Sequence, residues 1–170
     1  MQRAAVLQLD ICNFTGMSQT MDALELANMV HDLFSHFDDA VRRWGLFKMD
    51  TVGDAYILQA SNYPPSHFDD MVQLGKELIC ITKRFNIAGV ELSLRVGISF
   101  GSAAGAVIGV HRAFYCVYGD TTNTAARMCK AARPNQIMCS ENFASAILVF
   151  QPSKVICRHE GSMLIKGKGE

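Results

Sequence analysis

The chain has no surplus of charge: Lys plus Arg and Asp plus Glu are 16 each over 170 residues, a formal net charge of zero. General nucleic-acid binding wants a basic face that neutralises many phosphates, so this balance argues against it. It does not argue against holding one nucleotide through a metal. A long apolar run is also missing. The widest uncharged stretch, 96–110, lies between Arg95 and His111 and falls short of the ~20 residues that span a bilayer. No secretory leader is visible, because MQRAAVLQLDI carries an acid where the apolar region of a leader should continue. None of the six cysteines, Cys12, Cys80, Cys116, Cys129, Cys139 and Cys157, forms a CxxC pair, and no His/Cys grouping has zinc spacing. Reduced, mostly buried thiols are expected. Neither GxxxxGK[ST] nor GxGxxG occurs, which excludes the P-loop and the dinucleotide fingerprint. No repeat or low-complexity tract is present.

What is present suits one well-packed domain. Apolar residues make up 49%, enough to exclude disorder, and a chain of this length can bury a full core. Residues 4–9 read as a buried strand ending at Asp10, followed by a loop over 12–19. Thr20 is placed as the cap of a helix with Asp22 and Glu25 in its first turn, an apolar stripe through Leu26, Leu33, Phe37 and Trp44, and a stop at Gly45. Residues 46–50 and 55–60 form a hairpin about 51–54. Tyr63-Pro64-Pro65 is a loop, and Ser66 with Asp69 caps a second helix running to about Phe85. Residues 92–98 alternate as the next strand. Gly97, Gly101, Gly105 and Gly109 then recur every fourth residue, marking close backbone passages and turns. The order is the ferredoxin-like βαββαβ unit. Added to it are a strand at 114–118, a helix from Asp120 or Thr121 to Ala132, a strand at 137–139, a short helix capped by Ser140, and a last strand pair at 155–158 and 163–165. The fold class is α+β, with a largely antiparallel sheet covered by helices.

Two carboxylates stand out. Asp10 ends the first strand beside the Gly-containing turn Cys12-Asn13-Phe14-Thr15-Gly16, and Asp54 sits in the hairpin. Brought together, they would offer the oxygen ligands that Mg²⁺ or Mn²⁺ prefers; alone, each could simply cap a turn. Asn123 and Arg127 stand one helical turn apart, an arrangement that can grip phosphate or merely decorate a solvated surface. Lys166 and Lys168 in IKGKG are flexible charges in a glycine loop, able to close over a triphosphate or to fray. No role is given to the five histidines.

Five segments, LDICNFTGMS, FKMDTVGDAY, RVGISFGSAAGAVIG, YCVYGDTTNTAARM and IKGKG, together resemble the class III nucleotidyl cyclase catalytic domain, in that family's order and across nearly the whole chain. The resemblance implies that Asp10 and Asp54, with the Ile11 backbone, hold two Mg²⁺ or Mn²⁺ ions against a nucleotide triphosphate. It implies that the backbone from Ile11 through Phe14 and Thr15 cradles phosphates and that Arg95 and Lys166 reach them. Asn123 would orient the ribose and Arg127 would stabilise the transition state. Asp50 and Cys116 occupy the base-reading positions, with Val117 and Tyr118 lining the pocket. Because both halves of the composite site are retained, the resemblance implies a head-to-tail homodimer and an inactive monomer.

The implied function is a guanylate cyclase acting on GTP, with an ATP-using adenylate cyclase as the alternative. Asp50 departs from the usual glutamate by one methylene, on the order of 1.5 Å, and Cys116 keeps the guanylyl pattern. The family's usual Phe two residues before the first aspartate is replaced by Gln8-Leu9. A catalytically silent nucleotide-binding module and a ferredoxin-like interaction module remain as rivals. The expected setting is a soluble domain at a cytoplasmic face, excised from a longer protein before its last strand, with membrane attachment left to segments outside these residues.

Overall fold

A computed structural model describes residues 2–52, 54–61, 67–87, 90–111, 113–150 and 155–161. Strand β1 (Gln2–Ile11) lies at the centre of the sheet, antiparallel to β3 (Ala55–Ser61) on one side and to β6 (Leu94–Ile108) on the other. Side chains alternate across a strand, and here the alternation sorts two environments. Ala5, Leu7, Leu9 and Ile11 enter the main core with Leu94, Val96 and Ile98 of β6 and Tyr56 and Leu58 of β3. Ala4, Val6, Gln8 and Asp10 occupy the opposite face. The strand order is β2-β3-β1-β6-β7, with β2 at Phe47–Val52 and β7 at Phe114–Tyr118. Strand β8 (Gln136–Cys139) adds a parallel pairing to β6, and β4 (Asn86–Ile87) with β5 (Val90–Glu91) makes a separate two-stranded ribbon.

The main core is sealed by α2 (Ala23–Arg43), α3 (His67–Thr82) and α5 (Glu141–Phe150). In α2, Met29, Leu33, Phe34, Phe37, Ala40 and Val41 recur at helical spacing and are buried; a fully buried Leu or Phe contributes about 2–3 kcal/mol. The segment before α2 differs from expectation. Phe14–Thr20 forms a short helix, α1, where a loop was expected, and Thr20 turns its hydroxyl back to Gly16 and Met17. The cap of α2 is Asp22, whose carboxylate accepts from the backbone N–H groups of Leu24 at 2.9 Å and Glu25 at 3.2 Å. A carboxylate at this position satisfies orphan donors and meets the positive end of the helix dipole as well. Gly45, at φ +66°, ends the helix as expected. Ser66, the expected cap of α3, lies outside the described residues.

Strand β6 runs well past the expected 92–98, and its glycines explain how. An added Cβ at Gly97 would lie 2.1 Å from the Cys129 nitrogen and 2.2 Å from the Ala125 oxygen; one at Gly101 would meet the Thr121 hydroxyl at 2.7 Å. Their hydrogen side chains let α4 (Asp120–Ala131) lie against the second face of the sheet. These glycines are close passages within one strand, and only Gly109, at φ +105°, stands beyond its end in a conformation that favours glycine. Ser140 bonds the Phe143 N–H ahead of α5. The expected strand at 155–158 does not form: residues 155–161 have no regular structure, and its expected partner at 163–165 lies outside the described residues. Alternation survives there only as packing, with Val155 and Cys157 against the core and Ile156 99% exposed. All six cysteines are free, but only Cys129 is fully buried and Cys80 is exposed, so the thiols are less buried than expected. Among the described residues no helix is long and apolar enough to cross a membrane.

Candidate active site

The register of β1 builds the site. Asp10 pairs with Ala55 on one side and Arg95 on the other. Asp54, the residue before β3, is thereby delivered beside the Asp10 carboxyl, and the two side chains share a hydrogen bond. Arg95 Nη2 donates to Asp10 Oδ2 at 2.5 Å. Burial, the hydrogen bond to Asp10 and its negative charge push the Asp54 carboxyl up to about 6. Two adjacent carboxyls resist joint ionisation, so the pair must share a proton or hold a cation. Its all-oxygen donors suit Mg²⁺ or Mn²⁺ rather than a soft metal. The Arg95 Nε is buried without a hydrogen-bond partner, leaving a donor in hand beside the carboxylates.

The turn after β1 is shaped by Asn13, in the left-handed region at φ +59°. Ile11 anchors it by burying its side chain in the core, and the Cys12 N–H bonds the Ser93 carbonyl at 2.9 Å. Phe14 then opens α1, half-buried against the core, and Thr15 is exposed. Glycine at position 16 leaves room for the Asn13 side chain, whose Oδ1 would be 2.5 Å from an added Cβ.

Helix α4 divides the remaining polar residues from these. It buries Thr121, Thr124, Ala125, Met128 and Cys129, and the Cys129 thiol donates to the Arg95 carbonyl at 3.2 Å. By the 3.6-residue turn, Asn123 stands on the side away from that buried stripe and Arg127 on its flank. Asn123 is exposed. Arg127 is half-buried, and its Nη1 has no hydrogen-bond partner. A cavity of about 210 Å³ lined by Ser99, Asp120, Thr121, Thr124, Ser140 and Asn142 lies at the N-terminal end of α4 and includes neither Asp10 nor Asp54.

Asp50 and Cys116, the positions expected to read a base, lie on the two edge strands. Lys48 pairs with Leu58, but a bulge follows and Asp50 pairs with Ile57. Opposed residues share a face, so the bulge turns Asp50 from the α2 face to the face carrying Asp10. Asp50 is exposed and accepts the Thr51 N–H at 2.8 Å. Strands β2 and β7 approach each other: the Phe47 and Tyr115 rings meet edge-on at 5.6 Å, and Met49 packs on Ala4, Ala103 and Val117. Val117 is thus buried, while Tyr118 is 55% exposed. Cys116 is half-buried, and its charge and hydrogen bond raise the Tyr118 hydroxyl above its ordinary value. Lys166 lies outside the described residues.

Residues 1–170 match the family described as the adenylate and guanylate cyclase catalytic domain. The chain belongs to that family. It is 33% identical over 173 residues to the receptor-type guanylate cyclase gcy-23 of Caenorhabditis elegans, covering 98% of this chain and 16% of that protein. Guanylate cyclase 2G of Rattus norvegicus is 32% identical over 168 residues, covering 95% of this chain and 15% of the rat protein. The chain therefore spans only a small part of these curated relatives. Among solved structures, the guanylate cyclase domain of RhGC from Catenaria anguillulae, in complex with GTP, matches with a TM-score of 0.90 and 30% identity over 99% of this chain and 92% of that one.

Within this cyclase domain the structure also supplies a support that sequence reading missed. The buried Tyr56 hydroxyl donates to Asp38 of α2, and Lys48 bridges the same carboxylate at 2.8 Å while lying over the Tyr56 ring. This network ties the hairpin bearing Asp50 and Asp54 to α2. Its members are scattered through the sequence, so no local pattern announces it; the tyrosine just beyond Asp54 was the available signal.

Proposed function

We propose that the chain is the catalytic domain of a guanylate cyclase, converting GTP to 3′,5′-cyclic GMP and pyrophosphate as a head-to-tail homodimer with two Mg²⁺ or Mn²⁺ ions per site. The observation that carries this reading is the meeting of the Asp10 and Asp54 carboxyls beside Arg95. Asp10 and Asp54, with the Ile11 carbonyl, hold the metals, an assignment supported by the crowded carboxyl pair and by the metal dependence general in the family. Bound there, the ions supply a lowered pKa at the ribose 3′-hydroxyl and charge neutralisation for the departing pyrophosphate.

The chain's own groups do the rest. The backbone of 11–15, through Phe14 and Thr15, cradles the phosphates, and Arg95 leaves Asp10 to grip them with Lys166. Asn123 orients the ribose so that its 3′-oxygen attacks the α-phosphorus in line. Arg127 meets the charge that builds on the α-phosphoryl oxygens, which makes it a transition-state group. Asp50 and Cys116 read the base, with Tyr118 and the Val117 backbone beside it. The outward placement of Asn123 on α4, with the unpartnered Arg127 Nη1 on the helix flank, supports a site completed by a second copy, since α4 itself covers the sheet face that bears Asp10.

Asp50 favours guanine, whose N1–H and amino group are donors. Its shorter reach is the observation that keeps ATP as a second substrate, because an unmet donor weakens discrimination. The deciding assay measures cyclic GMP and cyclic AMP with Mn²⁺ at several protein concentrations. Cyclic GMP in excess, with specific activity rising with concentration, is expected. Cyclic AMP in excess transfers the reading to adenylate cyclase, and no product from either nucleotide leaves a silent nucleotide-binding module. In the full-length protein we place this domain on the cytoplasmic face, by analogy with its receptor-type relative.

A further inference from the structure

One carboxylate on α2 grips both strands of the β2–β3 hairpin. Asp38 lies in the C-terminal half of α2, a helix fixed to the core by its buried stripe. Its Oδ1 accepts from the Tyr56 hydroxyl. The Lys48 ammonium bonds Oδ1 at 2.8 Å and Oδ2 at 2.9 Å, and lies 4.7 Å over the Tyr56 ring. Tyr56 is fully buried, with its ring edge-on to Phe34 at 5.2 Å and to Phe37 at 5.6 Å. Its hydroxyl is the one polar group on that ring, and burial beside the Asp38 charge raises it above its ordinary value, so it stays a donor at neutral pH.

The two contacts act at different places. Tyr56 stands two residues beyond Asp54 and opposite Leu9, the neighbour of Asp10. Tied to α2 through its hydroxyl, it fixes the start of β3, where Ala55 pairs with Asp10 and sets Asp54 beside it. Lys48 pairs with Leu58 and is the last residue before the bulge, beyond which Asp50 pairs with Ile57. A ladder continued from Lys48 without the bulge would set Met49 opposite Ile57 and Asp50 opposite Tyr56, on the α2 face. Pinned to α2, the Lys48 ammonium holds the near side of the bulge, and Asp50 stays on the face that carries Asp10. Asp50 itself bonds the N–H of its neighbour Thr51, which leaves its placement to the strand.

We propose that Asp38 is a positioning residue with two separable duties: through Tyr56 it places the metal-holding Asp54, and through Lys48 it holds the bulge that presents Asp50 to the base. What Asp54 and Asp50 bind rests on the reading given under the proposed function. The separation follows from the geometry. Tyr56 and Lys48 reach the same carboxylate from different strands, and each lies close in sequence to one functional aspartate. Small displacements at such positions are felt at the site, because ligands and readers must be held to a fraction of an ångström.

The test reads both duties without turnover. Mn²⁺ is titrated without nucleotide. Base preference is the ratio of dissociation constants for 3′-deoxy-ATP and 3′-deoxy-GTP, which lack the attacking oxygen and cannot cyclise. Y56F should raise the Mn²⁺ dissociation constant about 10-fold and leave base preference within about 2-fold. K48M should lower the preference for guanine about 10-fold and leave Mn²⁺ binding within about 2-fold. K48R, which keeps a charge on Asp38, should hold the preference. D38A should lose both, whereas D38N, which keeps an acceptor for Tyr56, should lose base preference alone. Y56F and K48M keep the ring and the stem, so they decide if D38A fails to fold. Both readouts moving together in Y56F and K48M, or neither moving, overturns the inference, whatever the melting temperatures. A wild type that binds Mn²⁺ and 3′-deoxy-GTP but makes no cyclic GMP fails the cyclase reading and leaves the inference standing; one that binds neither overturns both.

Discussion

Replacing Asp54 with Asn should stabilise the metal-free protein while abolishing its response to metal. In the folded chain the Asp54 carboxyl is pushed from an ordinary 3.8 to about 6, so at neutral pH its ionisation opposes folding. Taken at face value, that displacement is worth about 3 kcal/mol. Asp54 is only half-buried, and solvent screening reduces the figure to about 1 kcal/mol. For a domain of this size, that is about 2–4 °C in melting temperature. The sign follows from linkage: between about pH 4 and 6 the folded state binds this proton more tightly than the unfolded state, so its contribution to stability falls as pH rises and is level above that window. D54N lacks the slope, because its amide can donate to Asp10 at any pH. Calorimetry without metal should find the two proteins converging near pH 4 and D54N melting about 2–4 °C higher at pH 7.5. Adding Mn²⁺ to about 100 times its dissociation constant should stabilise the wild type by about 2.7 kcal/mol and leave D54N nearly unmoved. A lower melting point for metal-free D54N at pH 7.5, or equal Mn²⁺ shifts in both proteins, would refute the reasoning.

Arg127→Ala should lower turnover by about 100-fold while nucleotide affinity changes much less, as steady-state kinetics with an independent binding titration would report. G97A should cost about 3 kcal/mol or more in urea unfolding, because its Cβ meets the backbone of α4; G101A should cost about 1–3 kcal/mol, because its Cβ pushes the buried Thr121 hydroxyl off its bond to the Ser102 carbonyl. D50K combined with C116D should move preference from GTP towards ATP in initial rates, and an unaltered preference would remove the base-reading assignment.

The apolar run in 4–9, the stripe of α2 and the stop at Gly45 were legible because each is a local pattern, set by which side chains seek the core. The order of the elements of the βαββαβ unit followed from the same reading, whereas Arg95, Asp50 and Cys116 were expected in the site only from the family resemblance. Errors gathered where two local signals compete or where packing decides. Thr20 and Asp22 are both fair caps, and the better acceptor geometry went to Asp22. The glycines of β6 look like turns until α4 is laid across them. Asp50 shares parity with Lys48, and only the bulge fitting β2 to β3 turns it to the face of Asp10. The sequence alone determined which groups are available and which elements carry them, since those follow from residue chemistry and short-range periodicity. Tertiary structure decided which groups meet: Asp10 with Asp54 and Arg95, and Tyr56 with Asp38. Such contacts join residues far apart in the chain, and register and packing, which local patterns do not encode, bring them together.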